Sequence, residues 1–345
     1  IQYFNQVINA KPYLSDPYFY RGLAKINLDD FQGAESDCSE AIERNPFVVS
    51  AYQVRGLARI QQNNFAGAIE DYTKALEFDP ENIGVWHNMA LCRIRQEDYK
   101  GAKNDLDKLI AISPRYTKAY LMRGEVDLKQ KDTLAAEKDF GKAIEIDRYD
   151  SDTWASRAIL RLQQQRYKDA EADFDHAIRL STRNSGVYIN RALARYHQNN
   201  LRGAMSDYDI ALDIDPNNFI GHYNRGLLRA QVGDDNRAIQ DFNFVIEMEP
   251  DNMMAIFNRG LLLDQTGDYK GAIKDYSTVI NEYPNFLLGY QYRAQARRKI
   301  GDVKGADADE FKVLKAQLDK QNGVDPNKQT ADNTENNKTR KKSDK

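Results

Sequence analysis

Apolar and small residues recur along this chain in a helical rhythm that resets every 34 residues. In residues 49–82, VSAYQVRGLARIQQNNFAGAIEDYTKALEFDPEN, Tyr52, Arg55, Gly56 and Arg59 occupy positions 4, 7, 8 and 11 and share one helix face. Ala68, Tyr72 and Ala75, at positions 20, 24 and 27, share the face of a second helix. Polar residues at positions 14–16, here Asn63 and Asn64, make the turn between them, and Pro80 at position 32 ends the second helix. Each unit therefore predicts a helical hairpin. The unit runs without insertion or deletion through residues 15–48, 49–82, 83–116, 117–150, 151–184, 185–218, 219–252, 253–286 and 287–320. A strict period of this length predicts stacked hairpins, each supported by its neighbours, in place of a single globular core.

Position 20 is alanine in all nine units, from Ala34 to Ala306, and position 8 is only ever Gly or Ala. Small side chains there let the two helices approach, while aromatics at positions 4 and 24 fill the space beside them. Position 4 departs from aromatic at His222 and Ile256, and position 32 is Pro in six units. On these residues the chain resembles the tetratricopeptide repeat family, over everything but its C-terminal tail. Asp235 and Thr133 at a usual aromatic position, and Arg148 and Thr182 in place of Pro, depart from the family pattern. The resemblance implies an all-α fold, a right-handed superhelical solenoid of nine repeats. It also implies a concave surface that cradles extended peptides.

Residues 1–12 align with 69–80, the second half of a unit, so residues 1–14 are expected to be the second helix of a repeat cut in the middle. Phe4 and Val7 would then face a missing helix, stay exposed, and offer a route to self-association. At the other end, Asp307 and Glu310 make the last helix more polar, as suits a terminal cap. Residues 321–345 carry almost no apolar side chains and read as a disordered polar tail ending in KTRKKSDK.

One column is sharper than the family pattern. Position 23 is Asp in every unit, and position 7 is Arg in all but one. The two positions lie equally far from the hairpin turn, so they should face each other. The expected ion pairs are Arg21–Asp37, Arg55–Asp71, Arg123–Asp139, Arg157–Asp173, Arg191–Asp207, Arg225–Asp241, Arg259–Asp275 and Arg293–Asp309. Met89 breaks the column, and Arg93, one turn on, is the expected substitute partner for Asp105.

Charge is nearly balanced, 49 Lys and Arg against 52 Asp and Glu, which argues against a nucleic acid as partner. No apolar run is long enough to insert in a membrane. Cys38 and Cys92 sit apart within helical patterns and read as small buried hydrophobes; the four histidines are scattered, and no metal or cofactor motif is present. With no long loop to carry a site, the chain reads as a non-catalytic scaffold. An alternative is the recognition module of a larger enzyme or signalling protein; an RNA-binding helical repeat is disfavoured by the acidic balance.

Positions 2, 5, 6, 9 and 13 of each first helix point away from the packed face. By the family resemblance they line the groove, and in units six to nine they supply Ile189, Asn190, Ile220, Tyr223, Asn224, Leu227, Met254, Phe257, Asn258, Leu261 and Tyr292. The Asn190–Asn224–Asn258 column offers both donors and acceptors for the backbone of an extended peptide, with apolar side chains beside it. Asn88 and Lys118, with Met122 where a cation is needed, do not complete the family's carboxylate clamp for chaperone tails.

Overall fold

The computed structural model describes residues 1–181 and 183–321, so the expectation of a disordered tail lies outside the described residues, as does the departure at Thr182. Every element among them is α-helical. The chain divides into two compact units between residues 182 and 183, at the junction of repeats five and six.

The first unit begins with α1 (Gln2–Ala10) and continues as five hairpins. These are α2 (Asp16–Ile26) with α3 (Phe31–Arg44), α4 (Val49–Gln61) with α5 (Phe65–Phe78), α6 (Ile83–Arg95) with α7 (Tyr99–Ile112), α8 (Thr117–Lys129) with α9 (Thr133–Ile146), and α10 (Ser151–Gln163) with α11 (Tyr167–Leu180). The second holds four: α12 (Ser185–His197) with α13 (Leu201–Ile214), α14 (Phe219–Gln231) with α15 (Asp235–Met248), α16 (Met253–Thr266) with α17 (Tyr269–Glu282), and α18 (Leu287–Lys299) with α19 (Val303–Gln321). Each is a solenoid stack in which a helix packs on the one before and the one after it. First helices also touch the first helix of the next repeat, α2 with α4 and α14 with α16 and then α18, which puts them on the inner side of the stack within each unit.

The close approach comes from the small residues. Every position-20 alanine is fully buried, and the position-24 ring lies across the position-8 glycine of its own hairpin. A methyl group at Gly124 would stand 2.6 Å from Phe140 Cε1, and one at Gly56 2.8 Å from Tyr72. Neither site has room for a side chain. Cys38 sits in the ring's place above Gly22, and burial pushes its thiol up to about 12 and that of Cys92 to about 11, so both are inert core residues.

Each hairpin turn uses a left-handed residue at position 15: Asp29, Asn63, Glu97, Lys131, Gln165 and Asn199 in the first six repeats, then Gly233, Gly267 and Gly301. Position 16 caps the second helix in most units, as where Asp98 accepts from the Gly101 amide at 2.9 Å. Glu97, Lys131 and Gln165 hold φ of 60–64° without the local side-chain bonding that eases Asn or Asp into this region. Lys131→Gly and Gln165→Gly are each expected to stabilise by about 0.5–1 kcal/mol, read as a higher urea midpoint. A lower midpoint would show that the turn carries no strain.

Both ends differ from expectation. Phe4 and Val7 are half-buried: Phe4 stacks on Tyr20 at 6.2 Å, and Asn5 accepts from Arg21 Nη1 at 2.8 Å, so α1 docks on repeat one. The exposed aromatic of α1 is Tyr3, at 70 %. At the other end α19 is no uniformly polar cap, because Phe311, Leu314 and Leu318 form an exposed stripe along it.

Candidate functional site

The Arg–Asp column is the most regular polar structure in the molecule. In the eight complete pairs both carboxylate oxygens are engaged by the Nε and Nη2 fork of the position-7 arginine, at 2.5–3.2 Å. The aspartates are at most 5 % exposed. Two further contacts were not foreseen. A second cation, at position 11, reaches the same carboxylate: Lys25, Arg59, Arg161, Arg195, Arg229 and Arg297 lie 2.7–3.0 Å from theirs. The third nitrogen of the position-7 arginine reaches back to position 25 of the preceding repeat, as Arg55 does to Ser39 at 3.1 Å and Arg123 to Asp107 at 2.6 Å. Arg225, Arg259 and Arg293 do the same to Asp209, Asn243 and Ser277. One guanidinium thus staples two repeats. The signal was legible, since position 11 is Lys or Arg in seven repeats.

Position 4 supports the staple. Its aromatic ring lies under the position-7 guanidinium, 5.0 Å from it in Trp154–Arg157, and its polar tip donates to a carbonyl of the preceding turn. Trp86 Nε1, Tyr120 Oη and Trp154 Nε1 reach the Pro80, Pro114 and Arg148 oxygens at 2.8–3.1 Å. His222 keeps this role, with Nε2 3.0 Å from Pro216 O, and adds Nδ1 3.0 Å from Asp241. Burial raises the Asp71 carboxyl above its ordinary range despite its two arginines. At Asp241 burial pushes the same way, but His222, Arg225 and Arg229 outweigh it and hold that carboxyl below its usual value.

Repeat three is the exception. Arg93 Nε comes 2.7 Å from Asp105 Oδ2, but the two atoms are poorly aligned for a hydrogen bond, so the contact is ionic only. Burial, opposed by Arg93, pushes the Asp105 carboxyl up to about 6.

These hairpins set the inner face. In the second unit Asn190 and Asn224 are half-buried and have no side-chain partner among the described residues, whereas Asn258 Nδ2 donates to Tyr223 Oη at 3.1 Å. Ile189 leaves the groove: it is only 7 % exposed, packed toward Gly221, which has no side chain to hold it out. Phe257 is walled in by Phe286, Tyr276 and Tyr292, with ring centroids 5.1–5.8 Å away, and Leu261 and Tyr292 belong to the same core cluster. Tyr223 packs against the core around Phe242. What remains open is Ile220, Leu227 and Met254, exposed by 50, 39 and 65 %. Phe219, missed from the sequence, joins Ile220, Tyr223, Asn252 and Met254 around an apolar notch of about 260 Å³.

Among the described residues, no group of three or more His, Cys, Asp or Glu could hold a metal ion, and no helix is long and apolar enough to cross a membrane. No curated protein matches the sequence. Solved structures do match in fold. A tetratricopeptide repeat protein from Parabacteroides merdae superposes with a TM-score of 0.55 at 21 % identity, over 72 % of this chain and 98 % of that one. The C-terminal part of a TPR repeat-containing protein from Cytophaga hutchinsonii gives 0.56 at 17 % identity, over 69 % and 97 %. The APC/C hetero-tetramer Cut9–Hcn1 gives 0.53 at 11 % identity, over 84 % of this chain but only 57 % of that one. Three family models match in sequence: a TPR repeat over residues 56–92, and tetratricopeptide repeats over 83–116 and 117–150 and over 156–219 and 223–285. With its matches, its period and its packed hairpins in agreement, the chain is a multi-repeat protein of the tetratricopeptide repeat family.

Proposed function

We propose that this protein is a non-catalytic scaffold whose second unit holds an extended segment of a partner protein along its inner face. Protein interaction is the general role of the fold. The carrying observation is the pairing of two unengaged amides, Asn190 and Asn224, with the open apolar side chains Ile220, Leu227 and Met254. An amide can donate to one backbone group of an extended strand and accept from another, without reading its side chains. The apolar notch then takes a side chain of the segment. Tyr223, Phe257, Leu261 and Tyr292 form the wall behind, and Asn258 is held by Tyr223. Hairpins locked by buried ion pairs offer a groove that loses little freedom on binding.

The test is selection of random dodecapeptides displayed on phage, followed by fluorescence anisotropy of the winners. Asn224→Ala combined with Leu227→Ala is expected to weaken them by about tenfold or more, since losing paired polar and apolar contacts removes roughly 1–3 kcal/mol. Unchanged affinity for the double variant would place the groove elsewhere.

A further inference from the structure

Second helices in this chain are covered on two sides. One side meets the first helix of the same hairpin; the other meets the first helix of the next repeat, through contacts that recur at fixed positions. Position 28 abuts position 3 of that next helix: a methyl group on Gly221 would stand 2.9 Å from Leu212 Cδ2, and one on Gly289 2.5 Å from Ile280 Cγ2. Position 25 accepts from the position-7 arginine, as Ser277 does from Arg293 at 2.9 Å. Position 21 pairs with position 11 in opposite sign, in Glu35–Arg59, Lys103–Asp127 and Glu137–Arg161. Position 17 reaches position 13, where Lys299 Nζ lies 4.9 Å from the centre of the Tyr269 ring.

α19 carries the same row, and no helix among the described residues covers it. Its residues at positions 28, 25 and 17 are Leu314, Phe311 and Val303, exposed by 53, 66 and 52 %. Two departures set it apart from the second helices of repeats one to eight. Position 25 is Ser, Thr, Asp, Asn or Gly in those repeats and Phe only here. A phenyl ring accepts nothing from an arginine in the way a carboxylate or hydroxyl does, so an apolar contact takes the place of the staple. The earlier second helices are also 14 residues long and end where the chain turns into the next first helix. α19, at 19 residues, runs straight through that turn and sets Leu318, 48 % exposed, one turn beyond Leu314. The chain therefore does not bend back where every other repeat supplies its own cover. Residues 322–345 offer only Val324 and Ala331 as aliphatic side chains. A second copy has no first helix to lend, because the position-3 residue of each is already buried in its own chain.

We propose that α19 is a docking face for one amphipathic helix of a partner protein, antiparallel to it, where the first helix of a tenth repeat would lie. The recurring contacts fix the chemistry of that helix. Position 3 is never larger than valine in repeats two to nine, so a small residue sits over Leu314. An apolar residue four places later packs on Phe311, and a lysine or arginine four places after that faces Asp307. The basic residue follows from Asp307 and Glu310, which share the one guanidinium of Arg298 at 2.9 and 2.7 Å and leave a negative charge unbalanced. An apolar residue one turn ahead of the small one reaches Leu318. An arginine opposite Phe311, the choice of this chain's own repeats, loses its acceptor and is selected against. The face is separate from the inner groove and does not depend on it.

The experiment screens the full chain against a phage library that displays a stable three-helix bundle with one helix face randomised, so that recognition carries no folding cost. A family of winners is expected to lose binding to Leu314→Lys and to share the small, apolar and basic residues at four-residue steps. For one purified winner, Phe311→Ser restores the polar acceptor of the other repeats and is expected to weaken binding about tenfold. The same substitution is expected to strengthen binding of that winner when arginine replaces its apolar residue, whereas damage to the fold would weaken both versions. Absence of any winner sensitive to Leu314→Lys, sensitive winners without the pattern, or equal responses of the two versions to Phe311→Ser would overturn the proposal. A wild-type dimer in sedimentation that Leu314→Lys makes monomeric would overturn it in favour of a second copy. A tenfold gain in winner affinity on deletion of residues 322–345 would overturn it in favour of the chain's own end.

Discussion

Asp71→Ala is expected to destabilise its hairpin by about 3–5 kcal/mol, the range for stranding a buried charge. The Asp71 carboxylate, 1 % exposed, receives Arg55 through Nε at 3.0 Å and Nη2 at 2.6 Å, and Arg59 Nη1 at 3.0 Å. Its removal leaves two guanidinium groups facing one another with no anion between them and several donors unsatisfied. Burial holds the carboxyl above its normal pKa in spite of both arginines, and buried ion pairs are in general weak sources of net stability. The cost comes from breaking it halfway. Each repeat leans only on its neighbours, so the loss is read best as faster hydrogen exchange of the α4 and α5 amides, by on the order of a hundredfold or more. Arg55→Ala with Asp71→Ala should cost less than the sum of the single changes, by about 1 kcal/mol or more. Strict additivity would show that the contact carries no coupling.

Much of this architecture could be read from the order of residues. Spacing alone located each hairpin, the invariant alanines marked where helices meet, and the loss of arginine at Met89 pointed to Arg93 as the substitute for Asp105. The groove was harder. A helix wheel gives the direction in which Ile189 leaves its own helix, but not that Gly221 on the next repeat lets it fold inward. The same wheel put Phe257 on the inner face without showing that Phe286 and Tyr292 roof it. Exposure in a stack depends on residues one repeat away, and a repeat read on its own does not contain them. The position-15 conformation was hidden for another reason: Lys131 and Gln165 hold a backbone angle that their side chains do not advertise.

The third repeat allows the same residue type to give the opposite result. Asp105→Asn is expected to stabilise the protein at pH 7, where Asp71→Ala is costly. The Asp105 carboxyl titrates at about 6 against a reference of 3.8. Because its folded pKa is the higher, the folded state binds this proton more tightly than the unfolded one. Its contribution therefore improves as pH falls from about 6 to about 4, and is level above and below that window. The charged form costs about 3 kcal/mol at neutral pH on that difference, and an uncharged asparagine escapes much of it. Urea unfolding across this window should show the wild type gaining on acidification relative to Asp105→Asn; parallel curves would refute the assignment. Met89→Arg supplies the contrast. Thr73, at position 25 of the preceding repeat, already touches Met89, with Oγ1 4.0 Å from Sδ, so an arginine there could reach both Thr73 and Asp105 as Arg55 reaches Ser39 and Asp71. In that background the carboxylate gains its missing fork, its pKa falls, and Asp105→Asn should change from stabilising to destabilising. A substitution whose sign depends on one residue a hairpin-width away would show that the arginine, and not the buried aspartate, decides whether each staple holds.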